Sequence, residues 1–137
     1  MAEAFVGKWK LVESENFDEY MKAIGVGLMT RKLGASVKPV MDVTVNNGKW
    51  SIVSVSTFKT INMDFELDKE FDETTPDGRQ MKSTITLTPD GKLVQQQRKV
   101  KDGDKDSVLT RYVEGNKLIT VCESQGVTCK RIYEKVE

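Results

Sequence analysis

Apolar and β-branched residues recur along most of the chain in short runs separated by turn residues. The runs include VMDVTV, WSIVSVSTF, KTINMDFEL, MKSTITLT, SVLTRYV and KLITVCES. Residues that adopt positive φ or preset a reverse turn lie between them: Asn46-Asn47-Gly48, Pro76-Asp77-Gly78, Pro89-Asp90-Gly91, Asp102-Gly103-Asp104, Gly115-Asn116 and Gln125-Gly126. Short strands at this spacing predict an antiparallel meander that closes into a barrel or a sandwich.

One stretch before Pro39 follows a helical period and interrupts the strands. Apolar residues recur there at the spacing of one helix face, namely Phe17, Met21 and Ile24. Gly25 is placed to end this helix, and the candidate caps before it are Ser14 and Asn16. A second short helix would end at Gly34 and carry three apolar residues on one side: Val26, Met29 and Leu33. The pattern therefore predicts two short helices between a first strand, at about Phe5 to Glu13, and roughly nine further strands.

Many of the predicted strands carry polar residues on both alternating faces. Examples are the serines of WSIVSVS, the threonines of STITLT and the run Gln95-Gln96-Gln97. A dry core between two sheets needs one consistently apolar face per strand. Mixed faces are typical of solvated strands, and equally of a barrel whose interior holds water and a ligand. This pattern alone leaves both interpretations open.

Composition excludes several classes of function. The 21 basic residues equal the 21 acidic ones, so a nucleic-acid partner is not expected. The chain has no histidine, which excludes histidine-based triads and histidine metal sites, and its cysteines form no CxxC motif. No catalytic residue, metal site or cofactor is predicted. The N-terminus lacks a signal-peptide run, and no segment approaches the roughly 20 apolar residues of a membrane span, so we expect a soluble intracellular protein.

The C-terminal hairpin assigns a direction to an arginine. If Gln125-Gly126 is a two-residue turn, Cys122 lies opposite Cys129. Alternation then places Cys129, Arg131 and Tyr133 on one face, and the other face carries Lys130 and Glu134, which belong in solvent. A buried guanidinium is costly unless it is paired, and no acidic residue of this hairpin shares its face. Its partner is a carboxylate from elsewhere in the chain, water or an anionic ligand.

Nine segments, spread over essentially the whole chain, form a recognisable series in this order: GKWKL, NFDEYM, GVGLMTRKLG, KPVMDVTV, STFKT, EFDETTPDGR, KSTITL, KLVQQQ and CKRIYEKVE. It resembles the cytosolic fatty-acid-binding proteins of the intracellular lipid-binding family, most closely the heart, adipocyte, epidermal and myelin branch. The resemblance implies one all-β domain over residues 1–137. This is a ten-stranded antiparallel up-and-down β-barrel with a helix-turn-helix lid between the first and second strands.

The resemblance also implies a carboxylate site formed by Arg111, Arg131 and Tyr133. Arg131 and Tyr133 match the family's C-terminal Arg-x-Tyr, and Arg111 matches its partner arginine. Local alternation does not decide the direction of Arg111, because apolar residues share both parities around it. Guanidinium groups and a phenol suit a carboxylate, which accepts charge-assisted hydrogen bonds.

Further residues match lid, portal or cavity positions of the family, and each also has a plain structural interpretation. Phe17, Met21, Val26 and Pro39 match the lid and the upper cavity, although Phe17 and Met21 suit helix packing equally. Phe58 matches a portal aromatic. Asp77 and Arg79 match a polar pair on the cavity wall, although Asp77 in Pro76-Asp77-Gly78 also suits an ordinary turn. Gln97 is expected to face the interior with Gln95, whereas Gln96 faces outward. Cys122 is a further candidate wall residue. Cys122 and Cys129 could form a disulfide if they are directly opposed, as in epidermal-type relatives, but a reducing compartment favours free thiols.

The resemblance implies a monomeric, non-enzymatic cytoplasmic carrier of long-chain fatty acids. A retinoic-acid carrier is the alternative within the family, and a lipid-modifying enzyme or a ligand-free scaffold are alternatives outside it. Lys22, Arg31 and Lys32 on the lid would serve transient contact with anionic membranes, or a nuclear signal as in some relatives. A solvated helix face is the plainer interpretation of these three residues.

Overall fold

The structure, a computed structural model, describes residues 2–136. A 3-10 turn at Ala2–Phe5 precedes β1 (Gly7–Glu15), and the two helices α1 (Phe17–Ala23) and α2 (Leu28–Ser36) follow. The remaining strands are β2 (Val40–Asn46), β3 (Lys49–Val55), β4 (Thr60–Glu66), β5 (Phe71–Thr74), β6 (Gln80–Leu87), β7 (Leu93–Lys99), β8 (Ser107–Glu114), β9 (Lys117–Ser124) and β10 (Val127–Lys135). None of the helices in this part of the chain is long and apolar enough to cross a membrane.

The ten strands pair antiparallel in the order β4-β3-β2-β1-β10-β9-β8-β7-β6-β5, so β1 joins the last strand and the sheet curls into a barrel. The ends of the order, β4 and β5, lie side by side without a ladder between them. The rings of Phe65 and Phe71 stack across this gap at 5.6 Å, and the backbone N–H of Asp68 donates to the carbonyl of Ile85 at 2.8 Å. The predicted ten-stranded barrel with a helical lid is confirmed.

Aromatic side chains fill part of the barrel interior. Phe65 stacks on Trp50 with ring centroids 5.8 Å apart, and Phe5 meets the edge of Trp50 at 6.1 Å. The indole N–H of Trp9 donates to the carbonyl of Phe5 at 2.9 Å, which satisfies the one polar atom of a fully buried ring. Because Phe5 is held in this cluster by the 3-10 turn, the first strand begins at Gly7 and runs to Glu15, two residues later than expected at each end.

The lid helices differ from the prediction at their ends. Asn16 is the N-cap of α1 but has a positive φ of 63°, and its amide donates to the carbonyl of Thr128 at 2.9 Å instead of capping the helix. Of the two candidate caps, Asn16 therefore occupies the N-cap position as predicted, whereas Ser14 lies within β1. Helix α2 continues past Gly34, where the sequence predicted its end, to Ser36. Gly34 instead lets α2 pack closely on α1, since a Cβ at this position would lie 3.2 Å from Met21 Sδ.

The turn of the C-terminal hairpin has the predicted form. Gln125 and Gly126 both adopt positive φ, 53° and 77°, as a tight two-residue hairpin turn requires. Cys122 is therefore paired directly with Cys129, and Thr120 with Arg131. The register of β9 and β10 therefore determines which of their side chains lie next to each other inside the barrel.

Candidate ligand-binding site

A cavity of about 270 Å³ lies between the lid and the barrel wall. Its lining is mostly apolar and comes from both helices and from strands on all sides: Phe17, Tyr20, Met21, Ile24, Val26, Val37, Pro39, Met41, Ile52, Ile61, Met63 and Leu109. Polar side chains of β5 to β10 and of the β5–β6 turn also line the cavity: Glu73, Thr75, Asp77, Arg79, Gln97, Arg111, Thr120, Arg131 and Tyr133. An apolar cavity with a few convergent polar groups is the usual form of a small-molecule site.

Arg131 points into the barrel from β10, as the alternation predicted. Only 8% of it is exposed. Its guanidinium lies 3.8 Å from the ring centroid of Phe17 on α1, and its Nη1 donates to Ser14 Oγ at 3.2 Å. Tyr133 is also buried on the same face of the strand, two residues further on. Cation–π contact with Phe17 places the arginine directly beneath the lid.

Arg111 also points inward, which resolves the direction that alternation left open. Its Nη1 donates to Gln95 Oε1 on the neighbouring strand at 2.8 Å, and the side chain lines the cavity. Its Nε is buried with no hydrogen-bond partner among residues 2–136. Both sequence-predicted arginines therefore face one cavity. Within residues 2–136, Arg111 donates to the neutral side chain of Gln95 and Arg131 to that of Ser14.

Glu73 on β5 is a cavity residue that the sequence did not identify. Its carboxylate accepts hydrogen bonds from Ser83 Oγ at 2.7 Å, Gln95 Nε2 at 2.8 Å and Gln97 Nε2 at 3.2 Å. Gln97 is thus inside the barrel as predicted, and Gln96 is exposed. Phe71 and Glu73 are the two less exposed residues of β5, and a strand of four residues is too short for its sequence to show this alternation.

Asp77 and Arg79 form an ion pair at the β5–β6 turn and also border the cavity. Arg79 Nε donates to Asp77 Oδ2 at 2.7 Å, and Thr75 Oγ1 donates to Asp77 Oδ1 at 2.7 Å. Burial by itself raises the pKa of Asp77. The hydrogen bonds from Arg79 and Thr75 outweigh it, so the pKa lies below its usual value. The turn and cavity-wall interpretations of these residues are both correct.

The cavity meets solvent near the β3–β4 turn. Phe58 lies there with 45% of its surface exposed and still lines the cavity, together with Pro39 and Met21. The Lys59 ammonium lies 5.0 Å from the Phe58 ring centroid and donates to the carbonyl of Pro76 at 3.0 Å. The mouth therefore has an aromatic side chain and a cation at its rim.

Two buried groups under the lid have perturbed pKa values. Burial raises the pKa of Tyr20 to about 12. Cys122 lines the cavity and, like its cross-strand neighbour Cys129, is a free thiol. The hydrogen bond between the two thiols, together with burial, raises the pKa of Cys122 well above its usual value. Tyr20 is another wall residue that the sequence analysis did not identify.

This arrangement defines a β-barrel protein with an internal cavity beneath a helical lid. A family model described as "Lipocalin / cytosolic fatty-acid binding protein family" matches residues 6–136. The chain belongs to this family. It is 55% identical over 132 residues to fatty acid-binding protein homolog 5 of Caenorhabditis elegans, covering 96% of both chains. It is 48% identical over 132 residues to fatty acid-binding protein 5 of Bos taurus, covering 96% of this chain and 95% of that one.

The fold is equally similar to solved structures. A fatty acid binding protein of Schistosoma mansoni in complex with arachidonic acid superposes with a TM-score of 0.93 at 37% identity, covering 99% of this chain and 98% of the other. The fatty-acid-binding protein 1 of Echinococcus granulosus gives a TM-score of 0.91 at 42% identity, covering 98% and 99%. Both the sequence and the fold therefore match relatives along nearly their whole length.

Proposed function

We propose that the protein is a non-enzymatic carrier that reversibly binds a long-chain fatty acid inside the barrel. Arg111, Arg131 and Tyr133 hold the carboxylate, and the apolar wall holds the chain. The observation that carries this proposal is the state of the arginines: Arg79 is paired with Asp77 at 2.7 Å, whereas Arg111 and Arg131 have no acidic partner among residues 2–136. Buried guanidinium groups are costly unless an anion pairs with them, and a ligand carboxylate supplies that anion.

Magnitudes separate affinity from selectivity at such a site. Each buried methylene contributes about 0.8 kcal/mol, so a chain of about a dozen methylenes contributes roughly 10 kcal/mol before entropic losses. A hydrogen bond to a charged group contributes about 1.5–3 kcal/mol. The wall residues, among them Phe17, Met21 and Cys122, therefore supply most of the affinity. The arginines and Tyr133 select and orient the head group.

The relatives support a fatty acid as the ligand, since one of the superposed structures holds arachidonic acid. A retinoic-acid carrier would use the same carboxylate site, so competition decides between the two. Oleate and retinoic acid are titrated separately against a fluorescent probe bound in the cavity. We expect oleate to displace the probe at the lower concentration. Displacement by retinoic acid at a lower concentration than oleate, or no displacement by either ligand, contradicts the proposal.

A carrier returns its ligand unchanged, which separates it from a lipid-modifying enzyme. Mass spectrometry of oleate recovered after prolonged incubation with the protein is expected to show oleate alone, and conversion would contradict a carrier. Mass spectrometry of lipid extracted from the purified protein also tests the ligand-free scaffold. We further propose a cytoplasmic, monomeric protein, in line with the cytosolic members named in the family description.

Transient membrane contact through the lid is part of the same proposal. On α2, Met29 is 80% exposed and Leu28 is 56% exposed, so apolar side chains project from the lid. The predicted basic patch supports this contact less, because Arg31 is paired with Asp18, and Lys22 with Asp18 and Glu19. We expect oleate transfer to acceptor vesicles to speed up with vesicle concentration, as contact requires. A rate that is independent of vesicle concentration contradicts it.

A further inference from the structure

One threonine lies between the two unpaired arginines. In the β8–β9 ladder Arg111 is directly opposite Thr120, and in the β9–β10 ladder Thr120 is directly opposite Arg131. Directly opposed residues project from the same face of a sheet, with Cβ atoms about 4.5–5.5 Å apart. Thr120 is therefore the centre of a three-strand row that faces the cavity, and it lines that cavity.

The hydroxyl of Thr120 makes no hydrogen bond to the part of the chain that the structure describes. Only 6% of the residue is exposed, and its Oγ1 has no hydrogen-bond partner among residues 2–136. The same holds for Arg111 Nε, which belongs to its cross-strand neighbour. Buried polar groups in folded proteins are nearly always hydrogen-bonded. Thr120 Oγ1 and Arg111 Nε are neighbours on the cavity wall, and both lack a hydrogen-bond partner among residues 2–136. A polar group of a bound ligand would supply that partner.

We infer that Thr120 is a further head-group contact that donates its O–H to an oxygen of the bound carboxylate. This inference rests on the proposed function, since it needs a carboxylate between Arg111 and Arg131. Both guanidinium groups carry donors only, and a carboxylate has about four acceptor positions, so a third donor from the same row adds to the binding. The hydroxyl then acts as a specificity-determining group for an ionised carboxylate.

A purely structural role for Thr120 is the competing explanation. Threonine is common in strands because its branched side chain packs well, and valine serves that purpose equally. Thr120→Val keeps the shape and removes the hydroxyl, and Thr120→Ser keeps the hydroxyl and removes the methyl group. These two variants therefore separate packing from hydrogen bonding.

The test measures the dissociation constants of oleate and methyl oleate for the parent and both variants. A hydrogen bond to a charged acceptor contributes more than one to a neutral acceptor. Thr120→Val should therefore weaken the binding of oleate about tenfold and the binding of methyl oleate at most about threefold. Thr120→Ser should bind oleate within about twofold of the parent. In parallel, the ¹³C resonance of carboxyl-labelled oleate should shift in Thr120→Val and return towards the parent position in Thr120→Ser.

Thr110→Val is the matched control, because Thr110 is on the adjacent strand β8 with alternation directing it away from Arg111. It should leave both affinities unchanged. The inference is overturned if Thr120→Val binds oleate as tightly as the parent, or if it weakens both ligands equally. The proposed function fails separately, if the parent itself shows no preference for oleate over methyl oleate.

Discussion

Gln95 Nε2 donates a hydrogen bond to Glu73 Oε1 at 2.8 Å, and this contact determines which end of the Gln95 amide faces Arg111. A carboxylate only accepts hydrogen bonds, so the amide nitrogen faces Glu73 and the amide oxygen is left to accept from Arg111 Nη1 at 2.8 Å. The position of Arg111 therefore depends on a carboxylate from a different strand. Glu73 itself is held by Ser83 and Gln97.

Glu73 also sets the charge balance of the cavity wall. Asp77 and Arg79 cancel as a pair, and Glu73 offsets one of the two remaining arginines, Arg111 and Arg131. A single ligand carboxylate balances these five groups, and Lys59 at the rim adds one further positive charge. A second carboxylate about 8 Å from Glu73 would be repelled by about 2 kcal/mol at an effective dielectric constant of about 20. We therefore expect Glu73 to favour a ligand with one carboxylate.

Replacing Glu73 should relax that preference. For Glu73→Gln we expect the ratio of affinities for hexadecanoate over hexadecanedioate to fall by up to about thirtyfold, because a like charge worth about 2 kcal/mol is removed. Isothermal titration calorimetry with both ligands measures the ratio. Glu70→Gln is the control, since Glu70 is exposed and pairs with Arg98 at 3.0 Å. An unchanged ratio in Glu73→Gln would show that Glu73 does not discriminate between ligands with one and two carboxylates.

The two unpaired arginines should contribute to head-group choice individually. Arg131→Gln and Arg111→Gln each remove a charged donor worth about 1.5–3 kcal/mol, so each should weaken oleate binding by about ten- to a hundredfold. Each should also reduce the preference for oleate over oleyl alcohol, because the alcohol needs no anion site. Fluorescent-probe displacement measures both ligands.

Arg98→Gln is the control for these variants, because Arg98 bonds Glu70 and Thr84 rather than any cavity residue. It should leave both affinities unchanged. If Arg131→Gln and Arg111→Gln bind oleate as tightly as the parent, the assignment of the carboxylate site is wrong.

Asp77 gives the stability of the protein a pH dependence in acid. The pKa of Asp77 in the folded protein lies below its usual value, whereas in the unfolded chain it is about 3.9. Ionised Asp77 therefore stabilises the fold above about pH 4, and this contribution is lost as the pH falls through the lowered pKa. Asp77→Asn should be less stable than the parent by about 1–3 kcal/mol at pH 7, because Arg79 loses its partner.

The stability difference between Asp77→Asn and the parent should narrow below about pH 4. Urea unfolding at a series of pH values from neutral to acid measures it. Asp64→Asn, on the exposed side of β4, controls for the loss of a carboxylate at the surface. A difference that stays constant across the acid range would show that Asp77 does not couple folding to protons.

The sequence predicted Arg131 better than Arg111 for a physical reason. On β10 the outward face carries Lys130 and Glu134, so charge marks one side of the strand unambiguously. On β8 nearly every residue is half-buried, because apolar side chains lie on both faces, and no alternation indicates which face is inside. Resemblance alone therefore supplied the inward direction of Arg111, and the structure agrees with it.

Glu73 could not be found from the sequence for a different reason. Strand β5 has only four residues, too few for a period to stand out. Its position inside the barrel depends on a register with β6, in which Glu73 is opposite the buried Met81. The cap of α1 shows the same limit: Asn16 is the N-cap as predicted, but its side chain donates to the carbonyl of Thr128, 112 positions away in sequence. Long-range partners decide these positions, and local patterns do not record them.

The lid should open more readily when its two helices are uncoupled. Arg31 on α2 donates hydrogen bonds to the carboxylate of Asp18 on α1 at 3.0 Å and to the carbonyl of Val26 at 2.9 Å. It therefore links α2 to α1 and to the loop between the two helices. The side chain of Arg31 is 15% exposed and that of Asp18 is 52% exposed, so solvent screens the pair and we expect about 1 kcal/mol from it. For Arg31→Gln, oleate dissociation should speed up by about fivefold, with a change in melting temperature of only a few degrees.

Lys22→Gln is the matched control for the lid. Lys22 also pairs with Asp18, at 3.6 Å, but both residues belong to α1 and do not connect the helices. Stopped-flow displacement of a bound fluorescent fatty acid by excess oleate, without vesicles, measures the dissociation rate of each variant. Arg31→Gln should release ligand faster than Lys22→Gln, which should match the parent. If the two variants release ligand at the same rate, the bond between α1 and α2 does not govern opening, and the ligand leaves by movement of another part of the barrel.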